Sequence, residues 1–139
     1  MNVLISIKPK YVEKIISKEK TYELRRSIFK REVSNVIIYS TYPEKKIVGY
    51  FKSKEIIKDS PKNIWDDLSD KLGINKKDFF DYFENKDECF ALKIDDLKVF
   101  KSPIETDELE DFRAPQSFKY LNEKETENIL NPIASFIML

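Results

Sequence analysis

Short apolar runs alternate with helix-like stripes of apolar residues along this chain. A β-prone run at 3–7 predicts a first strand, and apolar residues at helical spacing predict an amphipathic helix from 10 to about 18. A second strand is predicted at 21–25, where alternate side chains point to opposite faces. The continuous apolar run inside 33–41 is typical of a strand that is covered on both faces.

The rest of the chain predicts two long strands and three further helices. A strand at 47–57 follows a short turn and should pair antiparallel with the strand before it, and another long strand is expected at 88–100. Helices should begin after Ser60, Asn75 and Asn122, because these side chains can accept a hydrogen bond from a free backbone N–H in the first helical turn.

These elements predict an α+β fold. Strands that must hide their edges around a small core favour a closed or nearly closed mixed β-barrel flanked by helices. A chain of 139 residues without repeat or linker suits one domain over 1–139. The apolar tail at 133–139 should pack on the barrel or on a second subunit, since exposure would create an adhesive patch. That tail also leaves open an interaction or oligomerisation domain, with the oligomeric state undetermined.

Composition excludes several kinds of site. Two glycines are too few for a Gly-rich phosphate loop. Histidine is absent and Cys89 is the single cysteine, which excludes Ser–His and Cys–His pairs, zinc ligation by these residues and a disulfide within the chain. We expect no metal and no cofactor, and Cys89 as a small buried strand residue. Without a signal peptide or a membrane-spanning apolar run, the expected compartment is cytoplasmic, with no membrane partner.

The formal charge is zero but unevenly distributed. Residues 1–31 contain nine Lys or Arg against three Glu, and the excess of acid lies in 32–139. A local basic patch can follow phosphate groups even on a neutral protein. A helix surface that is merely rich in lysine remains an equal alternative.

The stretch from Ser17 to Arg26 concentrates charged side chains where a helix leads into a strand. Glu23 and Arg25 share one face, and Lys20 can bend over the same space. Such a carboxylate could accept an N–H of a nucleobase, while the cations bind phosphate or a carbonyl oxygen. Spacing alone favours a surface ion-pair ladder of little energetic weight.

The same stretch resembles the signature of the ASCH family, a branch of the PUA-like barrels. In that family a Gly-x-Lys-x-x-Glu-x-Arg pattern follows the first helix. Lys20, Glu23 and Arg25 stand at its charged positions, and Lys18 stands where glycine is usual. The resemblance covers about residues 3–100, with 101–139 as a C-terminal extension.

Membership would imply work on RNA. The main expectation from the resemblance is a module that binds RNA or a modified nucleotide and holds a nucleobase in a pocket lined by lysine, glutamate and arginine. The alternative is a hydrolase, either an amidase for N4-acylated cytidine or a ribonuclease, with Lys20 as base or nucleophile and Glu23 beside it. The expected binding residues are Lys8, Lys20, Glu23, Arg25, Arg26, Tyr39, Ser40, Thr41, Gln116 and Ser117.

Two segments allow two interpretations. The hydroxyls of Ser40 and Thr41 can bond a base edge or phosphate, or they can simply serve a turn. In the loop-like stretch 113–120, Phe118 and Tyr120 can stack on unpaired bases. Anchoring of the loop to the core is the favoured interpretation of these two aromatic residues.

Overall fold

The computed structural model describes residues 1–130, which form eight strands and four helices. The apolar tail at 133–139 lies outside the described residues. Two short 3-10 turns occur at Ser69–Lys71 and Thr106–Glu108. The main elements are β1 (Asn2–Ile7), α1 (Pro9–Ile16), β2 (Tyr22–Arg25), β3 (Asn35–Ser40), β4 (Lys46–Lys52), β5 (Ile56–Asp59), α2 (Pro61–Leu68), α3 (Lys76–Tyr82), β6 (Cys89–Lys93), β7 (Asp95–Glu105), β8 (Phe118–Leu121) and α4 (Glu123–Leu130).

The strands form two sheets. One has the order β7-β4-β3-β1-β8 and the other the order β2-β6-β5. Strands β1 and β3 are parallel, and the remaining pairs are antiparallel, including β3 with β4 as predicted. The α+β class is therefore confirmed. The barrel is not confirmed, because the two sheets do not close on themselves.

Each of the two long predicted strands is in fact two strands, so those predictions are wrong. The segment predicted at 47–57 divides into β4 and β5, and the one at 88–100 divides into β6 and β7 at Ile94. At both corners the chain passes from one sheet to the other. Pro103 lies inside β7, where the register shifts along an edge strand, so its missing N–H is tolerated.

Strand β8 includes the last three residues of the segment expected to be loop-like at 113–120, and 113–117 contain no helix or strand. It pairs antiparallel with β1, with Ile5 opposite Phe118. The ring of Phe118 meets Phe29 edge to face at 5.5 Å, and Tyr120 packs against the same core. The anchoring interpretation is thus confirmed, and the segment just before β8 is fixed beside β1.

The predicted helix starts are confirmed by their capping hydrogen bonds. Ser60 Oγ accepts from the Asn63 N–H at 3.2 Å, and Asn75 Oδ1 accepts from the Asp78 N–H at 2.8 Å. Asn122 opens α4 through a reciprocal pair of bonds with Glu125. Helix α2 ends at Leu68, and the 3-10 turn at Ser69–Lys71 follows it directly.

The core consists of three apolar clusters. Strand β1 is buried on both faces: Val3, Ile5 and Ile7 join the cluster under α1, and Leu4 faces a second cluster that includes Ile129 of α4. The third cluster packs α2 and α3 on the three-stranded sheet and includes Cys89, which is fully buried as expected. No helix within residues 1–130 is long and apolar enough to cross a membrane.

Candidate functional site between β1, β2 and α3

The turn from α1 into β2 is held in one conformation. Lys18 has a φ of 68°, the left-handed region in which glycine is favoured, so a lysine adopts the backbone expected of the signature's glycine. The Lys20 N–H donates to the Lys14 carbonyl at 3.0 Å, and the Thr21 N–H donates to the Lys71 carbonyl at 2.9 Å. The first bond closes the exit of α1 on the helix itself, and the second ties that exit to the connection between α2 and α3.

Lys20, Glu23 and Arg25 come together in the interior rather than on the surface. They are 3%, 5% and 7% exposed, so the surface-ladder interpretation is wrong. Arg25 donates from Nη2 and Nε to Glu23 Oε2 at 2.6 and 3.0 Å, and Lys20 Nζ lies 3.6 Å from Glu23 Oε1. The carboxylate therefore lies between two cations.

Arg25 makes several hydrogen bonds within the protein. Its Nη2 also donates to the Ser6 carbonyl at 2.7 Å, and its Nη1 donates to Ser117 Oγ at 3.1 Å. Ser6 in turn bonds the segment before β8 through its N–H to Ser117 and its hydroxyl to Pro115. Arg25 thus links β2 to β1 and to the start of β8, and it orients Glu23.

Lys20 also contacts groups other than Glu23. Its Nζ donates to the Leu72 carbonyl at 2.9 Å and lies 5.5 Å from the centre of the Tyr11 ring. Burial lowers the pKa of Lys20 below its ordinary value, and Glu23 opposes that shift. Gly73 makes room for this side chain: a Cβ added there would lie 2.7 Å from Lys20 Cβ, and the φ of Gly73 is +62°.

The three charged residues form part of the wall of an open cavity of about 620 Å³. Lys8 and Lys10, both exposed, lie on the β1–α1 side of the opening. Asp78 and Asp81 of α3 contribute carboxylates. The other lining residues are Ser6, Ile7, Tyr11, Leu24, Thr41, Ile74, Tyr82 and Gln116.

Six of the ten predicted binding residues line this cavity, and four do not. Ser117 does not line the cavity and accepts a hydrogen bond from Arg25. Arg26 packs its guanidinium 4.4 Å from the centre of the Tyr82 ring and donates from Nε to the Tyr82 carbonyl, so it supports a wall. Tyr39 and Ser40 are almost fully buried. The six that line the cavity are Lys8, Lys20, Glu23, Arg25, Thr41 and Gln116.

Helix α3 supplies lining residues that the sequence analysis missed. Asp78, Asp81 and Tyr82 lie at positions i, i+3 and i+4 and so share one face of the helix, next to the side that buries Phe79 and Phe83. Burial is the main cause that raises the pKa of Tyr82. The signal in the sequence that could have found them is their spacing at i, i+3 and i+4 after the predicted helix start at Asn75.

The cavity suits a flat polar ligand with an anionic group. Aromatic side chains of Tyr11 and Tyr82 line it, and donors and acceptors of Lys20 and Glu23 face it. Lysines on the β1–α1 side of the opening favour a negatively charged group there, because opposite charges attract, whereas Asp78 and Asp81 disfavour one on the α3 side. Within residues 1–130, no cluster of three or more Cys, Asp or Glu side chains is arranged to hold a metal ion.

Comparison with known proteins identifies the family. Residues 1–123 match the family described as a domain of unknown function, DUF365. An ASCH domain-containing ribonuclease from Zymomonas mobilis subsp. mobilis is 29% identical over 133 residues, which cover 92% of this chain and 89% of that protein. The crystal structure of ASCH from Zymomonas mobilis has a TM-score of 0.86 and 27% identity, covering 99% of this chain and 96% of that one. The chain belongs to the DUF365 family and is an ASCH domain protein.

The ASCH fold extends to a more distant protein. The N-terminal domain of Staphylothermus marinus McrB has a TM-score of 0.59 at 12% identity, covering 94% of this chain and 93% of that one. At that identity the likeness concerns the fold alone. The family resemblance expected from the sequence is confirmed by the similarity to the Zymomonas mobilis ASCH proteins.

Proposed function

We propose that this ASCH domain protein binds RNA or a modified nucleotide and holds one nucleobase in the cavity beside Lys20, Glu23 and Arg25. The observation that carries the proposal is the convergence of these three buried side chains on an open cavity of about 620 Å³. Cavities of this size are usual for small-molecule ligands. The Zymomonas mobilis relative named as a ribonuclease supports RNA as the ligand class.

Each charged group has a distinct role in this proposal. Arg25 occupies Glu23 Oε2, so Oε1 remains to accept an exocyclic N–H of a base. Lys20 donates to a carbonyl oxygen of the same base. The exposed Lys8 and Lys10 attract phosphates at the opening.

The remaining predicted residues complete the proposed site. Thr41 and Gln116 bond the edges of the nucleotide, since both line the cavity. Arg26 and Ser117 act through their contacts with Tyr82 and Arg25. Tyr39 and Ser40 support Thr41, which follows them at the end of β3.

Binding of short single-stranded RNA tests the proposal, with fluorescence anisotropy over a series of salt concentrations. The double variant Lys8→Gln/Lys10→Gln should bind more weakly, and the slope of log K against log salt should become less steep by about 1.4, because each phosphate contact on a single strand contributes roughly 0.7. Lys52→Gln/Lys101→Gln removes two exposed lysines outside the cavity lining and serves as the charge-matched control. Absence of salt-sensitive binding by the wild type, or equal weakening in the control, would refute the proposal.

A hydrolase is the second candidate, and the burial of Lys20 in the wall of the cavity favours it. Burial lowers the pKa of this lysine, and only a neutral amine can act as a base or nucleophile. Wild type and Lys20→Met can be compared on N4-acetylcytidine and on labelled RNA, with RNA binding measured in parallel. Turnover that is lost in Lys20→Met while RNA binding persists would establish catalysis through Lys20. Absence of turnover by the wild type on both substrates would leave the binding module alone.

A further inference from the structure

Tyr42 differs from the other large hydrophobic residues in its exposure. It is 81% exposed, whereas the next most exposed such residue among those described is Met1 at 47%. An aromatic ring usually contributes to stability by burying a large apolar area. Tyr42 leaves most of that area in solvent, so its ring is available to a ligand.

The backbone that presents Tyr42 is anchored on both sides. The Thr41 N–H donates to the Ile7 carbonyl at 3.0 Å. At the other end of the turn, the Lys45 carbonyl accepts from the N–H of Thr106 at 3.2 Å and from its hydroxyl at 2.8 Å. The ring therefore projects from a fixed turn, which reduces the conformational entropy lost when a ligand binds.

The turn lies at the rim of the cavity. Thr41, the neighbour of Tyr42 in the chain, lines the cavity, and so does Lys8, which follows Ile7. Adjacent Cα atoms are about 3.8 Å apart. A polynucleotide that leaves the cavity past Thr41 and Lys8 thus meets a cationic side chain for its phosphate and then an exposed aromatic face.

We propose that Tyr42 is a stacking platform for the nucleotide next to the one held in the cavity, so that the ligand is a single-stranded RNA segment rather than a mononucleotide. This inference rests on the proposed function. A single strand can turn the face of a base towards an aromatic ring, and every base has such a face, so the platform tolerates different sequences. A duplex has its base faces already stacked and would not use Tyr42.

Comparison of one ligand with its elongated form tests this inference. Affinities for a nucleoside monophosphate and for a short single-stranded RNA that ends in it are measured for wild type, Tyr42→Ala and Tyr42→Phe. Tyr42→Ala should weaken binding of the RNA roughly tenfold, because the stack between the ring and a base is lost, and should leave mononucleotide binding unchanged. Tyr42→Phe should bind both ligands as the wild type does. Ile56→Ala, a change at another exposed apolar residue outside the cavity lining, is the control.

The outcomes separate this inference from the proposed function. If the wild type binds neither ligand, both fail. If the wild type binds the RNA and Tyr42→Ala binds it equally well, only the stacking platform fails. Equal weakening of both ligands in Tyr42→Ala, or loss of RNA binding in Tyr42→Phe, would also overturn it, because the first result indicates a general defect and the second a role for the hydroxyl. Binding of a duplex as tightly as the single strand would contradict the choice of ligand.

Discussion

The cavity combines two groups of charged residues that differ in their surroundings. Lys20, Glu23 and Arg25 are at most 7% exposed and form hydrogen bonds with one another, with backbone carbonyls and with the Ser117 hydroxyl. Lys8 and Lys10 at the opening are exposed. A charged residue in the sequence does not by itself reveal whether it will be buried in the protein or exposed to solvent. The buried group forms the wall of the cavity and, in the proposed function, meets the base, whereas the exposed group is placed to meet phosphate.

The energetic consequences of the two groups differ accordingly. Buried charges lose their hydration on folding, and only their interactions with one another offset that loss. Removal of one partner therefore leaves the others uncompensated. Every buried side-chain nitrogen and oxygen within the described part of the chain has a hydrogen-bond partner, so the buried group is fully satisfied as it stands. Exposed charges keep their hydration and contribute little to stability.

The largest expected effect is on the buried group. Glu23→Gln removes the negative charge between Lys20 and Arg25 and should lower the free energy of unfolding by about 3–5 kcal/mol. Urea denaturation measures this loss. The control Glu105→Gln breaks an exposed ion pair with Lys46 and should cost less than about 1 kcal/mol. Similar losses in the two variants would remove the distinction between buried and exposed charges.

A smaller loss is expected when the space beside Lys20 is filled. Gly73→Ala places a methyl group against Lys20 Cβ at a φ of +62°, and the left-handed backbone alone costs about 1–2 kcal/mol. Asn85→Ala, at a φ of 64° and outside the cavity lining, should show only a backbone cost. Thermal or urea denaturation compares them. A Gly73→Ala loss no greater than that of Asn85→Ala would show that close packing on Lys20 is unimportant.

Restoration of the signature's glycine should stabilise the turn that positions Lys20. Lys18→Gly relieves a left-handed lysine at a cost of about 1–2 kcal/mol, partly offset by the greater chain entropy of glycine, for a net gain of roughly 0.5–1 kcal/mol. Its neighbour Glu19 lacks a positive φ, so Glu19→Gly should give no gain. Denaturation midpoints that fall in Lys18→Gly would contradict this account of the turn.

The exposed group should have the smallest effect on stability. Lys8→Gln/Lys10→Gln is expected to change the free energy of unfolding by no more than about 0.5 kcal/mol, while it weakens RNA binding. Denaturation and anisotropy on the same preparation measure both quantities. A large loss of stability would mean that these lysines also belong to the structural part of the cavity.

The free energy of unfolding should depend on pH through Lys20. The pKa of Lys20 is lower in the folded protein than in the unfolded chain, where it is near 10.5, so between those two values the unfolded chain binds more protons. Stability contributed at this site should therefore rise with pH across that interval. The free energy of unfolding of the wild type relative to Lys20→Met should move in favour of the wild type on going from neutral to alkaline pH. A difference that stays constant or falls would contradict the lowered pKa.

Local patterns predicted most of the elements, and failures occurred where the chain changes sheet. Helix caps at Ser60, Asn75 and Asn122 depend on neighbouring residues and could be predicted. The corner at Ile94 could not, because apolar residues continue through it while the hydrogen-bonding partner changes from one sheet to the other. Strand β8, only four residues long and containing a lysine, has too weak a pattern to predict alone.

The candidate site was predictable as far as strand alternation allows. Two residues apart in β2, Glu23 and Arg25 had to share a face, and they do. Two features of the site depend on tertiary packing, which no spacing in the sequence encodes. They are the hydrogen bond from Arg25 to Ser6 and the contribution of α3 to the cavity lining. The single-domain organisation over 1–139 stays a prediction.

Mapping of a bound nucleotide on the protein tests the central claim most directly. Backbone amide resonances of the isotope-labelled protein are followed by NMR during titration with a nucleoside monophosphate. We predict that the shifted resonances cluster at Ile7, Tyr11, Thr41, Ile74 and Tyr82, around the cavity above Lys20 and Glu23. Shifts that cluster instead around the separate cavity lined by Phe112 and Ile129, or a spectrum that does not change, would contradict the account.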